Sequence, residues 1–476
     1  DSFRACWAVL ASLFLFAGAL RAGEATGNAV TLGEPFTDHM VLQRDRSVPV
    51  WGWAPAGSEV TVTFQNQRET AAAGADGRWR IDLDPLEAGG PFEMKVSGRA
   101  APLRDVMVGD VWLCSGQSNM EMGLDKLNGA PPFKTFHAPE DLARANQPRL
   151  RLFCAARQFV TAPQERYPEP DPESDRIHGR WVRCTTENAM ACGHWGGFSG
   201  LAFYFGLEIQ PHANVTIGLV QAASGGTAAE AWMSPEAVAR LTHPLACPTA
   251  AAAKEKYPGK RQRGRRFDSV STCYNCQVHP LVPFAFRGVL WNQGGSNSGD
   301  WHYDEKLETL ICDWRKRFEH PEMPFYIVQL CNYKNYLGNP TARPAVRDGQ
   351  LEVHRRLPHT GLAVTMDLFD WRAPNDVHPS DKKEAARRLA LWARRDCYGA
   401  SDLEPSGPLY REMKIEQNKA RIFFDHIGGG LICPSHRLQG FVVAGAERRF
   451  QPALARIDED TVLVWSKDVS EPRTVR

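Results

Sequence analysis

Short apolar runs alternate with amphipathic stretches between residues 105 and 400, and no other feature of the sequence constrains the fold as strongly. Runs of this length and composition are typical of buried strands, and the candidates are Asp110–Leu113, Thr216–Val220, Gly288–Trp291, Phe325–Leu330 and Gly361–Met366. The amphipathic stretches have the period of helices, and the candidates are Gly200–Ile209, Ser234–Leu241, Lys306–Phe318 and Lys382–Asp396. Strands that alternate with helices predict an α/β domain built in layers around a parallel sheet.

The region before this domain has a β pattern of its own. Residues 26–104 contain alternating stretches such as Glu59–Phe64, separated by glycine-containing turns. Strands at this spacing predict a small β-sandwich domain. Its tryptophans offer a surface for carbohydrate, but aromatic residues in a sandwich more often form its core; they are Trp51, Trp53 and Trp79.

The rest of the chain divides into a tail, an insertion and a leader. Residues 401–476 return to a β pattern and predict a β-rich C-terminal segment, while the proline-rich stretch from Asn128 to Arg180 is interpreted as a long insertion. At the start, Arg4 precedes an apolar run that ends at Leu20, and small residues follow. This layout predicts a secretory signal in residues 1–25. We therefore expect a secreted or periplasmic protein, or one of the lysosomal lumen in a eukaryote.

Charge and cysteine content narrow the possible partners. Lys and Arg number 56 against 55 Asp and Glu, a net charge of +1, so nothing favours nucleic acid as a partner. After removal of the signal we also expect no attachment to a membrane.

The spacing of Cys273 and Cys276 suits a metal, but a zinc site needs four ligands and no second pair accompanies them. A disulfide or two separate buried thiols remain the alternatives, and we expect neither metal nor other cofactor.

A glycine-flanked serine follows the apolar run Val111–Cys114, within the segment Gly116-Gln117-Ser118-Asn119-Met120-Glu121. A hydrolase presents a nucleophilic hydroxyl in this way, at the end of a strand of a parallel sheet. Serine is also a frequent N-cap, so Ser118 has a structural alternative. The two roles are compatible, because a helix N-terminus also stabilises a developing oxyanion. Ser118 is our candidate nucleophile.

A serine nucleophile needs a base, and His378 is the best candidate because it lies in Asp376-Val377-His378-Pro379, ahead of a helix. A third residue would accept the ring Nδ1–H and hold the correct tautomer. We assign this role to Asp376, while a backbone carbonyl and hence a Ser–His dyad stays open. Asp367 and Asp370 are poorer candidates by their distance along the chain.

Two glycine-rich turns lie between the serine and the histidine. They are Ser224-Gly225-Gly226-Thr227 and Trp291-Asn292-Gln293-Gly294-Gly295-Ser296-Asn297. Both follow predicted strands, so their amide groups would lie at the same edge of the sheet as Ser118. Asparagine and glutamine in turns usually serve the turn alone, but this placement favours a functional role.

These four motifs, in this order, resemble those of the sialate O-acetylesterases, a family of SGNH (GDSL-like) hydrolases. The similarity also includes Phe36–Arg44, Val50–Trp53, Gly109–Trp112 and Arg387–Ala390, and so covers roughly residues 30 to 400. The resemblance implies an SGNH-type three-layer α/β hydrolase that removes O-acetyl groups from sialic acids through an acetyl-enzyme, with no cofactor. For the oxyanion hole it implies the Ser118 N–H, an N–H of Gly225 or Gly226, and a side-chain amide of Gln293 or Asn297.

The sequence departs from the family pattern at several positions. Many SGNH hydrolases carry the acid three residues before the histidine, where this chain has Asn375. The usual Trp-Tyr-Gln-Gly-Glu-Ser-Asn has Asn292 in place of Tyr and Gly295 in place of Glu, which leaves open how the neighbouring amide or histidine is oriented. The alternatives are an esterase for another acetylated glycan, such as xylan or pectin, and a weakened glycan-binding homologue. A sialate enzyme should place an arginine near the carboxylate of its substrate, and Arg343 and Arg347 are candidates.

Overall fold

The computed structural model describes residues 30–125, 143–158, 160–168, 175–245, 269–333, 342–368, 376–433 and 438–476. The proposed signal and two of the positions discussed above, Asp370 and Asn375, lie outside the described residues. No helix in the described ranges is long and apolar enough to span a bilayer.

The N-terminal region consists of short strands that pair both with sequence neighbours and with strands further along the chain. They are β1 (Thr31–Leu32), β2 (Val41–Gln43), β3 (Val48–Trp53), β4 (Glu59–Phe64), β5 (Gln67–Ala72), β6 (Arg78–Leu83) and β7 (Gly89–Val96). Strands β1, β3 and β6 form one antiparallel sheet, and β4 pairs with β5 and β7. Strand β6 alternates between exposed and buried residues, which puts Trp79 in the core at 3% exposure. Trp79 therefore packs in the core, and together with the half-buried Trp51 and Trp53 it also lines a cavity of about 380 Å³.

Strand β8 (Leu103–Gly116) joins this region to the central sheet, because it pairs with β7 near its start and with central strands further on. The boundary that we predict between residues 104 and 105 therefore falls inside a single strand. Division of the chain into separate domains stays a prediction.

The central sheet confirms the predicted α/β class. Besides β8 it contains β9 (Gln147–Cys154), β10 (Trp181–Cys184), β11 (Thr216–Ala223), β12 (Gly288–Asn292), β13 (Phe325–Val328) and β14 (Thr360–Ala363). Their order is β10-β9-β11-β8-β12-β13-β14, and all neighbours are parallel except β10 and β9. The interpretation of Asn128–Arg180 as an insertion is wrong for β9, an internal strand whose last five residues are buried. Its first three residues, Gln147–Arg149, are not apolar and gave no strand signal.

Helices cover both faces of this sheet. They are α1 (Ser118–Glu121), α2 (Thr186–Ala191), α3 (Gly200–Ala213), α4 (Pro235–Val238), α5 (Tyr303–Arg317), α6 (Ala342–Arg356) and α7 (Lys382–Cys397). Side chains of α3 and α7 pack with Trp112 in one core, whereas side chains of α5 and α6 pack with Val111 and Leu113 in the other. Successive residues of β8 thus serve opposite faces, and the result is a three-layer sandwich.

The C-terminal segment is β-rich, as predicted. Strands β15 (Leu409–Glu416), β16 (Lys419–Asp425), β19 (Leu454–Asp458) and β20 (Thr461–Trp465) form a four-stranded antiparallel sheet. Strands β17 (Val442–Ala444), β18 (Gln451–Pro452) and β21 (Thr474–Val475) form a smaller one.

Candidate active site

A cavity of about 510 Å³ opens at the carboxyl edge of the central sheet. The parallel strands β8, β11 and β12 all end at this edge, where α/β sheets place their ligands. The cavity brings together most of the residues predicted from the sequence, and its lining comprises Gln117, Ser118, Asn119, Glu121, Trp195, Gly225, Gly226, Asn292, Gln293, Gly295, Leu330, Arg343, Val377 and His378. Asp376 and Asn297 are not part of the lining, and Asp376 lies beside His378.

Ser118 lies at the turn between β8 and α1. Gly116 ends the strand with φ +133°, and a Cβ there would lie 2.3 Å from the carbonyl oxygen of Asn292, so only glycine fits. The N-cap position of α1 belongs to Gln117, and Ser118 is the first helical residue. The capping role considered above therefore does not apply, and the half-buried Ser118 faces the cavity.

Gly225 lies directly against Ser118, because a Cβ on Gly225 would be 3.3 Å from the Ser118 Cβ. Its N–H donates to Glu121 Oε2 at 2.6 Å. Glu121 is 4% exposed and also accepts a hydrogen bond from Arg157 Nη1 at 2.7 Å. Burial raises the pKa of Glu121, and the charge of Arg157 opposes that rise. The carboxylate therefore occupies the Gly225 N–H that the sequence assigned to an oxyanion hole.

Gly226 has a different environment from Gly225. It adopts φ +75°, and a Cβ there would meet nothing within 4 Å, so its backbone faces open space in the cavity. Neither the N–H of Gly226 nor that of Ser118 bonds to another described residue. Both donors are available to a ligand.

His378 is held beside Asp376 on the loop before α7. Asp376 Oδ1 accepts the backbone N–H of His378 at 2.8 Å, and it lies 3.6 Å from the ring Nδ1. That separation is too long for a hydrogen bond to the ring. Trp195 packs edge-on against the imidazole, with ring centroids 5.4 Å apart. Asp367, the other described carboxylate considered above, pairs with Arg388 instead.

The pKa of His378 is lowered to about 4. Burial is the main cause, and the positive charges of Lys382 and Arg343 add to it. Lys382 is itself 3% exposed, and burial lowers its pKa to about 8. The imidazole is therefore neutral at physiological pH, which is the form that can accept a proton from a serine.

Gln293 and Asn297 form a buried amide network beneath the cavity. Gln293 Nε2 donates to Asn297 Oδ1 at 2.8 Å and to the Thr227 carbonyl at 3.0 Å, while its Oε1 accepts from Tyr303 at 2.8 Å. Asn297 Nδ2 donates to Glu230 Oε2 at 3.0 Å. The donors of both amides are thus engaged within the protein, which leaves the backbone groups as the better placed oxyanion donors.

Gly295 and Asn292, the two positions at which this turn departs from the family pattern, both have well-defined neighbours. Gly295 packs on the side chain of Gln117, since a Cβ there would be 3.1 Å from Gln117 Nε2. Gln117 Oε1 in turn lies 3.2 Å from the N–H of Gly294. The turn and the neighbouring Gln293 are therefore oriented without a carboxylate at position 295. Asn292 is 9% exposed and lines the cavity.

The two candidate arginines differ in position. Arg343 lines the cavity, donates to the Cys331 carbonyl at 2.5 Å, and has a buried Nε without a partner among the described residues. Arg347 donates to Asn332 Oδ1 at 2.9 Å and is set back from the cavity. Only Arg343 is placed to meet a substrate carboxylate.

Sequence reasoning missed Glu121, Arg157, Trp195 and Lys382. The sequence could have identified Glu121 as a site residue, because a carboxylate three residues after a candidate nucleophile is unusual for a buried turn. Arg157 and Trp195 belong to segments without motifs, whereas Lys382 begins the helix predicted after the His378 motif. The roles of all three become visible only through their contacts. The cysteines of the described ranges form no disulfide with one another, and Cys273 and Cys276 are both buried.

Comparison with known proteins agrees with this geometry. The model of a family described as carbohydrate esterase, sialic acid-specific acetylesterase, matches residues 108–390. The sialate O-acetylesterase of Homo sapiens is 28% identical over 437 residues, which are 84% of this chain and 77% of that protein. The enzyme of Rattus norvegicus is 29% identical over 446 residues, 83% and 78% of the two chains. A carbohydrate acetylesterase from Xanthomonas citri has a crystal structure that superposes with a TM-score of 0.78 at 34% identity, covering 94% of each chain.

Proposed function

Because this chain belongs to the sialic acid-specific acetylesterase family of carbohydrate esterases, we propose that it hydrolyses O-acetyl esters of sialic acids with Ser118 as nucleophile and His378 as base. The observation that carries the proposal is the shared cavity, which Ser118, Gly225, Gly226 and His378 all line at the carboxyl edge of the sheet. The chain is an esterase by family. The identity of its catalytic residues is our assignment.

The reaction follows from these positions. Ser118 Oγ attacks the acetyl carbonyl while the neutral His378 accepts the hydroxyl proton. The tetrahedral intermediate collapses to an acetyl-enzyme, and His378 returns the proton to the leaving sugar oxygen. A water molecule, deprotonated by His378, then attacks the acetyl group. Acetate leaves and the proton restores Ser118. Every proton transfer uses His378, and no metal is required.

We assign the oxyanion hole to backbone N–H groups of Ser118 and Gly226. Both residues line the cavity, and neither N–H has a competing partner among the described residues. Preorganised donors of this kind stabilise the negative charge that develops on the acetyl oxygen. Glu121 contributes indirectly, because its bond to Gly225 fixes the glycine turn beside Ser118.

Asp376 is our candidate for the third catalytic residue. Its carboxylate already fixes the backbone of His378 and needs to approach the ring by less than 1 Å to accept the Nδ1–H. Catalytic hydrogen bonds are often long without substrate and shorten when it binds.

We assign recognition of the sialic acid carboxylate to Arg343. Its guanidinium lies in the cavity wall, and arginine binds carboxylates in a bidentate, charge-assisted manner. Acetate release from O-acetylated sialic acid, compared with acetylated xylan and acetylated pectin, tests this substrate class. Faster turnover of the neutral polymers would contradict it, whereas the absence of turnover on every acetyl ester would contradict the esterase mechanism itself.

We also infer export of the protein. The support is the charged start and the apolar run from Ala5 to Leu20, outside the described residues. Mass spectrometry of the N-terminus after expression in a secreting host tests this, and an intact N-terminus in the cytoplasm would contradict it.

A further inference from the structure

A cluster of metal-ligating side chains lies behind one wall of the active site. Cys154, His178 and His194 each bring a ligand atom to within 4.8 Å of the others. Cys192 lies two residues before His194 and is fully buried, but it is outside this group of three. Cys154 ends β9, His178 precedes β10, and the other two follow α2. The cluster is therefore assembled from three separate segments.

We propose that Cys154, Cys192, His178 and His194 bind a zinc ion that connects two loops of the active site. Two thiolates and two imidazoles are a common ligand set for structural zinc. Zinc–ligand bonds of about 2.0–2.3 Å separate ligand atoms in a tetrahedron by about 3.5 Å. The ligand atoms of Cys154, His178 and His194 therefore need to approach one another by little more than 1 Å, and the Cys192 thiol has to move in from outside the group. The two thiolates also neutralise the ion, which suits cysteines that are 1% and 0% exposed.

The histidines have hydrogen bonds that suit them for metal binding. His194 Nε2 lies 2.9 Å from the carbonyl oxygen of Ala155, so Nδ1 keeps its lone pair. Ligating histidines usually donate their second N–H to a carbonyl in this way. The Nε2 of His178 is buried without a partner among the described residues. The rings stack with centroids 4.0 Å apart.

A disulfide between Cys154 and Cys192 is the alternative use of these thiols. It would leave His178 Nε2 buried and unpaired, and a buried polar atom without a partner is costly. A metal ion satisfies that atom and the His194 nitrogen together. The unpaired nitrogen therefore favours the metal over the disulfide.

The site would stabilise the active-site wall without entering the reaction. Cys154 lies three residues before Arg157, which holds Glu121 and through it Gly225. His194 immediately precedes Trp195, whose ring packs on His378. An ion bound by both loops would fix the cavity wall near Ser118 through the Cys154 loop. It would also fix the wall near His378 through the His194 loop. The proposal does not depend on the identity of the substrate or of the nucleophile.

Metal analysis of the purified full chain tests the proposal. We expect about one zinc per chain by mass spectrometry. Replacement by cobalt should give the visible bands of a tetrahedral ion and an absorption of thiolate-to-cobalt charge transfer. Cys154→Ser and His178→Gln should each lose most of the metal, while Cys184→Ser, which removes a buried thiol outside the cluster, should retain it.

Each other outcome contradicts the proposal. Zinc-free protein in which Cys154 and Cys192 resist alkylation until reduced would identify a disulfide. Zinc-free protein with both thiols reactive would show an empty cluster, and loss of metal from Cys184→Ser alone would place the ion elsewhere. If the cluster variants do not fold, the cobalt spectrum of the unaltered protein decides, because the lack of thiolate charge transfer rules out cysteine ligation.

Discussion

Asn119 Oδ1 accepts a hydrogen bond from Lys382 Nζ at 2.6 Å, which connects the residue after the proposed nucleophile to the helix after the proposed base. Asn119 Nδ2 also donates to the carbonyl of Val377 at 3.0 Å, and Lys382 donates to the carbonyl of Pro379 at 2.7 Å. The side chains of Asn119 and Lys382 therefore hold the loop on both sides of His378. The relative position of serine and histidine depends on this connection.

Replacement of Ser118 by alanine should abolish esterase activity and leave the fold unchanged. Loss of the nucleophile in serine hydrolases lowers turnover by about a million-fold. Ser118 is half-buried and the change removes one oxygen atom, so circular dichroism and melting temperature should match the parent. Rates close to the parent on a chromogenic acetyl ester would contradict the assignment, and the matched control is Ser115→Ala, which changes a buried serine of the preceding strand β8.

The change Asp376→Asn should lower kcat by about ten-thousandfold, as loss of the correct histidine tautomer does in serine triads. Asparagine keeps an oxygen that can accept the His378 backbone N–H, so the loop should keep its conformation. A loss of less than about tenfold, with unchanged stability, would instead indicate a backbone acceptor and a Ser–His dyad.

Activity should rise with pH around pH 4 and be level near neutrality. Only neutral His378 can accept the serine proton, and burial beside Lys382 and Arg343 lowers its pKa to about 4. The pKa of His378 is thus lower in the folded state than the value of about 6.5 in the unfolded state. The free energy of unfolding should therefore fall as the pH drops from about 6.5 towards 4. The pH dependence of kcat/KM on a neutral acetyl ester measures the midpoint. A midpoint above about 6.5 would show that a carboxylate outweighs burial.

Lys382→Met should move that midpoint upward by about one unit, because a nearby positive charge disfavours the imidazolium. It should also lower kcat, since the connection to Asn119 is lost. Lys467→Met removes an exposed lysine far along the sequence and should change neither quantity. An unchanged midpoint in Lys382→Met would contradict the electrostatic role of this lysine.

Arg343→Met should raise KM for O-acetylated sialic acid by about ten- to a hundredfold, in line with the loss of a hydrogen bond to a charged group. KM for an uncharged acetyl ester should change much less. Arg347→Met is the matched control, because Arg347 is set back from the cavity. Equal effects of Arg343→Met on both substrates would show that this arginine shapes the cavity and does not recognise the carboxylate.

The sequence alone was sufficient to predict those features that depend on residues close together in the chain. The alternation of apolar strands and amphipathic helices predicted the three-layer fold, because burial on both faces of a parallel sheet leaves little choice of composition. The candidate serine was visible because Gly116 must end its strand in a conformation with positive φ, with no room for a side chain. His378 was visible because its motif precedes the predicted helix Lys382–Asp396.

Tertiary structure alone decided what depends on segments far apart in the chain. It placed β9 inside the sheet although that strand starts with three residues that are not apolar, because pairing with β11 buries its apolar end. It closed the Gly225 N–H onto Glu121, and it placed Arg343 beside His378 to lower its pKa. It also assembled Cys154, His178 and His194 from three segments. Hydrogen bonds, charge interactions and metal ligation act over a few ångströms, and a sequence specifies such distances only through the fold.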